Sequence, residues 1–157
     1  MVATQVLGGF ITYEGDVAGD TIHTVPRSTF TCTQTDHWVG HMVLSIQFDG
    51  DRVSKGAPKI KSGSNTGTAS TCPNDTLGTG PFPFGNNDGL HGTKSALSAE
   101  GTDSGSWGSI VIDFQGSLDG DTITGSLTIN ETYINPPPGK NITGFGVIPV
   151  TLQRTSQ

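Results

Sequence analysis

The stretch Ile110-Val111-Ile112-Asp113-Phe114, followed by Asp119-Gly120 and then Ile123-Thr124-Gly125-Ser126-Leu127-Thr128-Ile129-Asn130, decides the fold class. Apolar residues recur at every second position on both sides of the turn, which is the period of a half-buried strand. Asp-Gly between two such alternations is a strong hairpin signal, because both central residues of the tight turn need positive φ. Ile110, Ile112 and Phe114 therefore share one face, and Ile123, Leu127 and Ile129 form the matching row on the return strand. The other face of the return strand, Thr122, Thr124, Ser126, Thr128, Asn130 and Thr132, is polar and points to solvent or a partner.

The pattern repeats upstream. Trp38, Met42, Leu44, Ile46 and Phe48 occupy even positions around Gly40, with His37, Val39, His41, Val43 and Ser45 on the odd ones, and Asp49-Gly50 turns the chain into a return strand over Arg52 to Ile60. Further back, Thr29, Thr31, Thr33 and Thr35 alternate with Phe30, Cys32 and Gln34, which turns Cys32 towards the core. The N-terminal part reads as a strand from Gln5 to Glu14, a turn at Gly15-Asp16, and a short strand from Thr21 to Val25 that Pro26 ends.

Residues 62–89 read as one long loop of Gly, Ser, Thr, Asn and Pro, of the kind that is usually functional or disordered. Leu90 to Ala99 is a weak strand and Glu100 to Ser106 a polar loop. Pro136-Pro137-Pro138-Gly139 is a rigid connection into a last strand from Gly144 to Arg154, where Pro149 predicts an edge or a bulge. About nine strands joined by turns, with no helix signal, specify a single all-β domain over residues 1–157, built as an antiparallel sandwich or a small barrel.

Composition points the same way. The chain has 157 residues with 23 Gly, 22 Thr, only 3 Glu and 14% charged residues. That excludes a coiled coil or helical bundle. A net charge of −6 offers phosphates no counterion-release gain, so nucleic acid is excluded as a partner. No apolar run is long enough for a membrane-spanning helix. The basic residues Arg52, Lys55, Lys59 and Lys61 read as a solvated strand face that blocks edge pairing.

Cys32 and Cys72 are the only cysteines, and their spacing fits no zinc pattern. A disulfide between them, in a Thr- and Asn-rich chain, points outside the cell or to its surface. The opening Met1-Val-Ala-Thr-Gln has no basic or apolar signal region, so no signal peptide is expected within the chain.

The chemical candidates are sparse. His37 and His41 share a strand face about 13 Å apart, too far to hold one metal ion; in a barrel that face could be the lumen. His37, His41, Glu131 and Tyr13 are the weak catalytic candidates, with Glu14, Glu100 and Glu131 read as surface carboxylates. Trp38, Trp107, Phe82 and Phe84 are the ligand-binding candidates, the two phenylalanines serving either to meet a partner or to plug the core. Asn86, Asn87 and Asp88 are a compositional calcium candidate with turn formation as the simpler reading. No metal site and no cofactor are expected.

Three functions fit these residues. The first is a non-catalytic extracellular module that self-assembles or binds a surface partner, as a pilus-like, adhesin, surface or capsid-decoration subunit, with strand addition by the runs Val6 to Tyr13 and Phe145 to Leu152. The second is a small barrel whose internal pocket binds an apolar small molecule or acts as a cofactor-independent isomerase or cyclase. The third is a carbohydrate-binding module using Trp38 or Trp107.

Overall fold

A computed structural model of the chain describes residues 9–73, 77–82, 84, 87–134 and 141–156. The alternations become β1 (Ile11–Pro26), β2 (Thr31–Asp49), β3 (Arg52–Ser70), β4 (Thr79–Pro81), β5 (His91–Thr93), β6 (Ala96–Gly105), β7 (Gly108–Asp119), β8 (Thr122–Tyr133) and β9 (Ile142–Ser156). All pairings are antiparallel, and among the described residues there is no helix. Eight strands form a ring in the order β1, β2, β3, β5, β6, β7, β8, β9, with β9 returning to β1 and β4 lying on β3. The all-β prediction is thus met by a barrel-like sheet. Eight strands enclose an interior just wide enough for packed side chains or one small ligand.

Period-2 alternation decides what is inside. Tyr13 and Val17 of β1, Trp38, Met42, Leu44 and Ile46 of β2, the Ile112–Phe114 row of β7, the Ile123–Ile129 row of β8, and Ile148, Val150 and Leu152 of β9 form one core. Ile112 lies opposite Ile129 and Phe114 opposite Leu127, as the hairpin pattern requires. Gly50 and Gly120 have φ of 60° and 62°, so both Asp-Gly turns place glycine where an L side chain would be strained.

The structure departs from the sequence reading in several places. The Gly15-Asp16 pair does not turn; β1 runs unbroken and pairs with β2 from Ile11–Ile46 to Pro26–Thr31. Gly15 is instead a point of close approach, where a Cβ would collide with the Thr151 carbonyl of β9. The expected loop over 62–89 is shorter, because β3 continues to Ser70 beside β2 and Thr79–Pro81 forms β4 on residues 64–66 of β3. Hydroxyl-bearing residues suit a strand face as well as a loop, which hid this extension. The expected polar loop from Glu100 to Ser106 is strand through Gly105, pairing with β7.

Pro149 lies on no edge. It sits opposite Ser126 of β8, in the stretch where the β1–β9 ladder lapses between Glu14–Gln153 and Ile22–Phe145. No amide is required of it on that side. Strand addition by Phe145 to Leu152 is also overturned, since β9 already has a neighbour on each side. Of the N-terminal run, residues 1–8 lie outside the described residues.

The ring is weakest where β3 meets β5, through the single pair Arg52–Thr93. Residues 87–90 run beside β3 at this seam, with the Asn87 amide donating to the Pro58 carbonyl. Phe82 stacks edge-on against Trp38 with ring centres 5.1 Å apart, and Phe84 and Leu90 are buried in the same core. The Leu90 amide donates to the Gly56 carbonyl at 2.9 Å. Of the two readings of Phe82 and Phe84, the structure gives the plug.

Candidate functional site

At the end of the barrel where β1 finishes and β2 begins, three ionisable side chains from three strands turn inward. His23 follows Thr21 on the inner face of β1, Asp36 precedes Trp38 on the inner face of β2, and Glu131 follows Ile129 on the inner face of β8. Glu131 is 2% exposed and His23 4%, whereas the Asp36 side chain is 20% exposed. The expectation of a surface Glu131 is therefore corrected: the apolar row of β8 simply continues through it. Opposite it on β7 lies Ile110.

His23 sits between the two carboxylates. Its Nε2 donates to Oε2 of Glu131, and its Nδ1 lies 3.4 Å from Oδ2 of Asp36. The Tyr133 hydroxyl donates to the other oxygen of Glu131 at 3.4 Å, and its ring meets His23 edge-on with centres 5.6 Å apart. One inward step below, the Trp38 indole donates to Oγ1 of Thr21 at 2.7 Å. Gly144 of β9 makes the arrangement possible, because a Cβ there would lie 2.6 Å from Oε2 of Glu131 and closer still to the His23 ring.

Above this cluster is a cavity of about 630 Å³. Asp36 and His23 border it together with Gln34, Asn65, Asp103, Trp107 and Tyr133, while Leu77, Ile110 and Ile142 supply apolar wall. Trp107 packs on Tyr133 with ring centres 5.6 Å apart. The Cys32–Cys72 disulfide, with Cα atoms 5.1 Å apart, closes a small apolar cluster with Val25 and Ile142 at the same end. It anchors the start of the segment whose residues Leu77 to Pro81 form one wall.

The electrostatics follow from burial. Desolvation is the largest influence on His23 and lowers its pKa, but the Glu131 hydrogen bond and the charges of Glu131 and Asp36 together outweigh it and hold the imidazole above its usual 6.5. Burial raises the Asp36 carboxyl, and the neighbouring Glu131 charge adds to that against the pull of His23. Burial likewise pushes the Tyr133 hydroxyl up. The ligating atoms of His23, Asp36 and Glu131 lie within 4.8 Å of one another, so this trio is also compact enough to hold a cation.

Neither a family model, nor a curated protein, nor a solved structure matches this chain. The site must be read from its own geometry.

The other sequence candidates fall elsewhere. His37 and His41 face outward, which overturns the lumen expectation, and each is opposite an aspartate on β1: His37 Nδ1 is 2.7 Å from Asp20, and His41 meets Asp16 at 2.9 Å and Glu14 at 2.8 Å. Tyr13 is buried in the core, away from the cluster. Trp38 is fully buried beneath the cavity, so only Trp107 of the two tryptophans borders it. Asn86 lies outside the described residues. The Asn87 amide donates to Pro58 and Phe84 carbonyls, and Asp88 accepts from the Glu100 amide, which is loop-closing work. Neither His23 nor Asp36 stands out in the sequence as a site residue without the fold to bring them together, although both lie in phase with the buried Val25 and Trp38.

A pH dependence follows. A group raised in the folded state binds its proton more tightly folded than unfolded, so its stabilising contribution is fully present below the unfolded pKa and is lost as pH rises through the folded one. For His23 that means full effect below pH 6.5 and loss above it. His41 has the same sign, raised first by its Asp16 hydrogen bond and then by Glu14. Urea midpoints are expected to fall steadily from pH 6 to 9, and a midpoint that rises over this range would contradict the site's electrostatics.

Proposed function

We propose that the protein takes a small, largely apolar molecule into the mouth of its barrel and rearranges it by proton transfer, as an isomerase or cyclase. The observation that carries this reading is the Glu131–His23–Asp36 chain, which joins a buried carboxylate to one bordering a cavity. A volume of about 630 Å³ is in the range of small-molecule sites. Asp36 is the member that reaches the bound molecule. As carboxylate it takes a proton from one carbon, and as acid it returns a proton to another, so the reaction consumes no net proton. A carboxyl raised by burial is a stronger base than an ordinary carboxylate, which suits it to accept a proton from carbon. Glu131 holds the His23 ring, and His23 in turn orients and electrostatically steadies Asp36.

Binding is tested with the neutral fluorophore N-phenyl-1-naphthylamine. Its emission should rise on titration with a stoichiometry of one, and Trp107→Ala should weaken it about tenfold by removing one wall; no enhancement with the wild-type protein would sink the pocket. Chemistry is tested with β,γ-unsaturated ketones in deuterated water. Deuterium should enter the conjugated product with the wild type and not with Asp36→Asn.

A second reading rests on the outer surface. Ile22 and Phe145 are directly paired across β1 and β9, Val147 lies beside them, and all three are more than half exposed. Such a patch fits a second copy of the chain, and assembly of this kind, with the disulfide, suits an extracellular setting. Light scattering after size exclusion should then give a dimer or larger for the wild type and a monomer for Phe145→Asp. A monomeric wild type removes this reading.

A further inference from the structure

We infer that the molecule bound in the mouth of the barrel is an organic cation: a protonated or quaternary amine on an apolar body. The inference rests on the proposed pocket and names the chemistry of its occupant. Two carboxylates, Asp36 from β2 and Asp103 from β6, border the cavity, Glu131 lies directly behind His23, and among the described residues no lysine or arginine lines it. Three acidic side chains, Asp36, Asp103 and Glu131, thus stand against the single imidazole of His23 at a recess walled by Leu77, Ile110 and Ile142.

The aromatic residues fit the same ligand. Trp107 and Tyr133 stand together at the rim, and the faces of such rings attract ammonium groups, Trp most strongly. Carboxylates below and aromatic faces beside an apolar wall make a site for a cationic head with a hydrocarbon body. An anionic ligand would meet like charge at two places, and a neutral one would gain nothing from the carboxylates and bind more weakly. The net charge of −6 draws cations towards the protein at long range. The lysines of β3 do not oppose this at the site, since Lys55, Lys59 and Lys61 lie on exposed positions outside the barrel.

Three probes with one ring system separate charge from shape: 2-(1-naphthyl)ethylamine, 2-(1-naphthyl)ethanol and 1-naphthylacetate, each titrated by calorimetry at pH 7. The amine should bind at least tenfold more tightly than the alcohol, and the acetate most weakly. Asp103→Asn should cut the preference for the amine over the alcohol several-fold while leaving alcohol affinity unchanged, which also certifies that the variant is folded. Added salt should weaken the amine and not the alcohol. Equal affinity for amine and alcohol overturns the cation assignment and leaves the pocket standing. Failure of all three to bind overturns both. A third result, in which Zn²⁺ or Mn²⁺ stabilises the protein and expels the amine, would make the carboxylates a metal site and overturn the organic cation.

Discussion

His23→Leu is expected to remove about 3–5 kcal/mol of folding stability, the usual cost of taking one partner from a buried ion pair. The substitution leaves Glu131 almost without solvent, deprived of its His23 donor, with only the long Tyr133 hydrogen bond left and still facing Asp36. The leucine fills the volume but cannot answer the charge. The double variant His23→Leu/Glu131→Leu should recover most of the loss, because two well-packed apolar residues replace the pair and Ile110 and Ile129 already flank that position. Urea unfolding of wild type, both single variants and the double gives the coupling directly. Single variants within about 1 kcal/mol of wild type would show that the pair is not buried in solution as it is here.

Cys32→Ser/Cys72→Ser is the second large effect. A disulfide closing a loop of 40 residues restricts the unfolded chain by about 4 kcal/mol in loop-closure entropy. Residual structure in the unfolded chain offsets part of that, and the folded segment has a second tie, the Thr71 amide donating to the Thr33 carbonyl at 2.8 Å. We therefore expect a loss of about 2–4 kcal/mol in thermal or urea unfolding, and a comparable loss for the wild type under reductant. Ligand affinity should fall as well, since the wall from Leu77 to Pro81 is tethered at one end by Cys72 and at the other by β4. A double variant with unchanged stability would mean that the strand pairing alone anchors this segment.

The fold was legible where alternation is uninterrupted. The Asp119-Gly120 hairpin appears in the register that its apolar rows demand, and Cys32 points inward as its phase among the threonines requires. Sequence pattern and structure part where glycine marks a close approach instead of a turn, as at Gly15, and where serine and threonine form strand instead of loop, as from Ser62 to Ser70. Composition cannot separate these cases, because the deciding partner is a distant strand.

The site was half visible. Glu131 shares the phase of Ile123, Leu127 and Ile129, so extending that row by one step would have placed it indoors. Asp36 likewise shares the phase of Trp38, and the apolar run on β2 simply turns polar near the mouth. His23 was lost with the supposed break at Gly15-Asp16, which severed it from Tyr13 and Val17. That the three converge is a property of ring closure: β1 and β8 are both neighbours of β9, although His23 and Glu131 are 108 positions apart in sequence.

Ring closure through β9 also sets an order of events during synthesis. Until Ile142–Ser156 leave the ribosome, β1 and β8 are two bare sheet edges, and His23 and Glu131, 108 positions apart, have no strand between them to hold them in register. A nascent chain therefore carries an acidic group on an apolar face without its counter-charge, next to edges that pair readily with other chains. The ninth strand completes the barrel and the His–Glu contact at once. Gly144, at the start of that strand, is the point where backbone slides past both side chains.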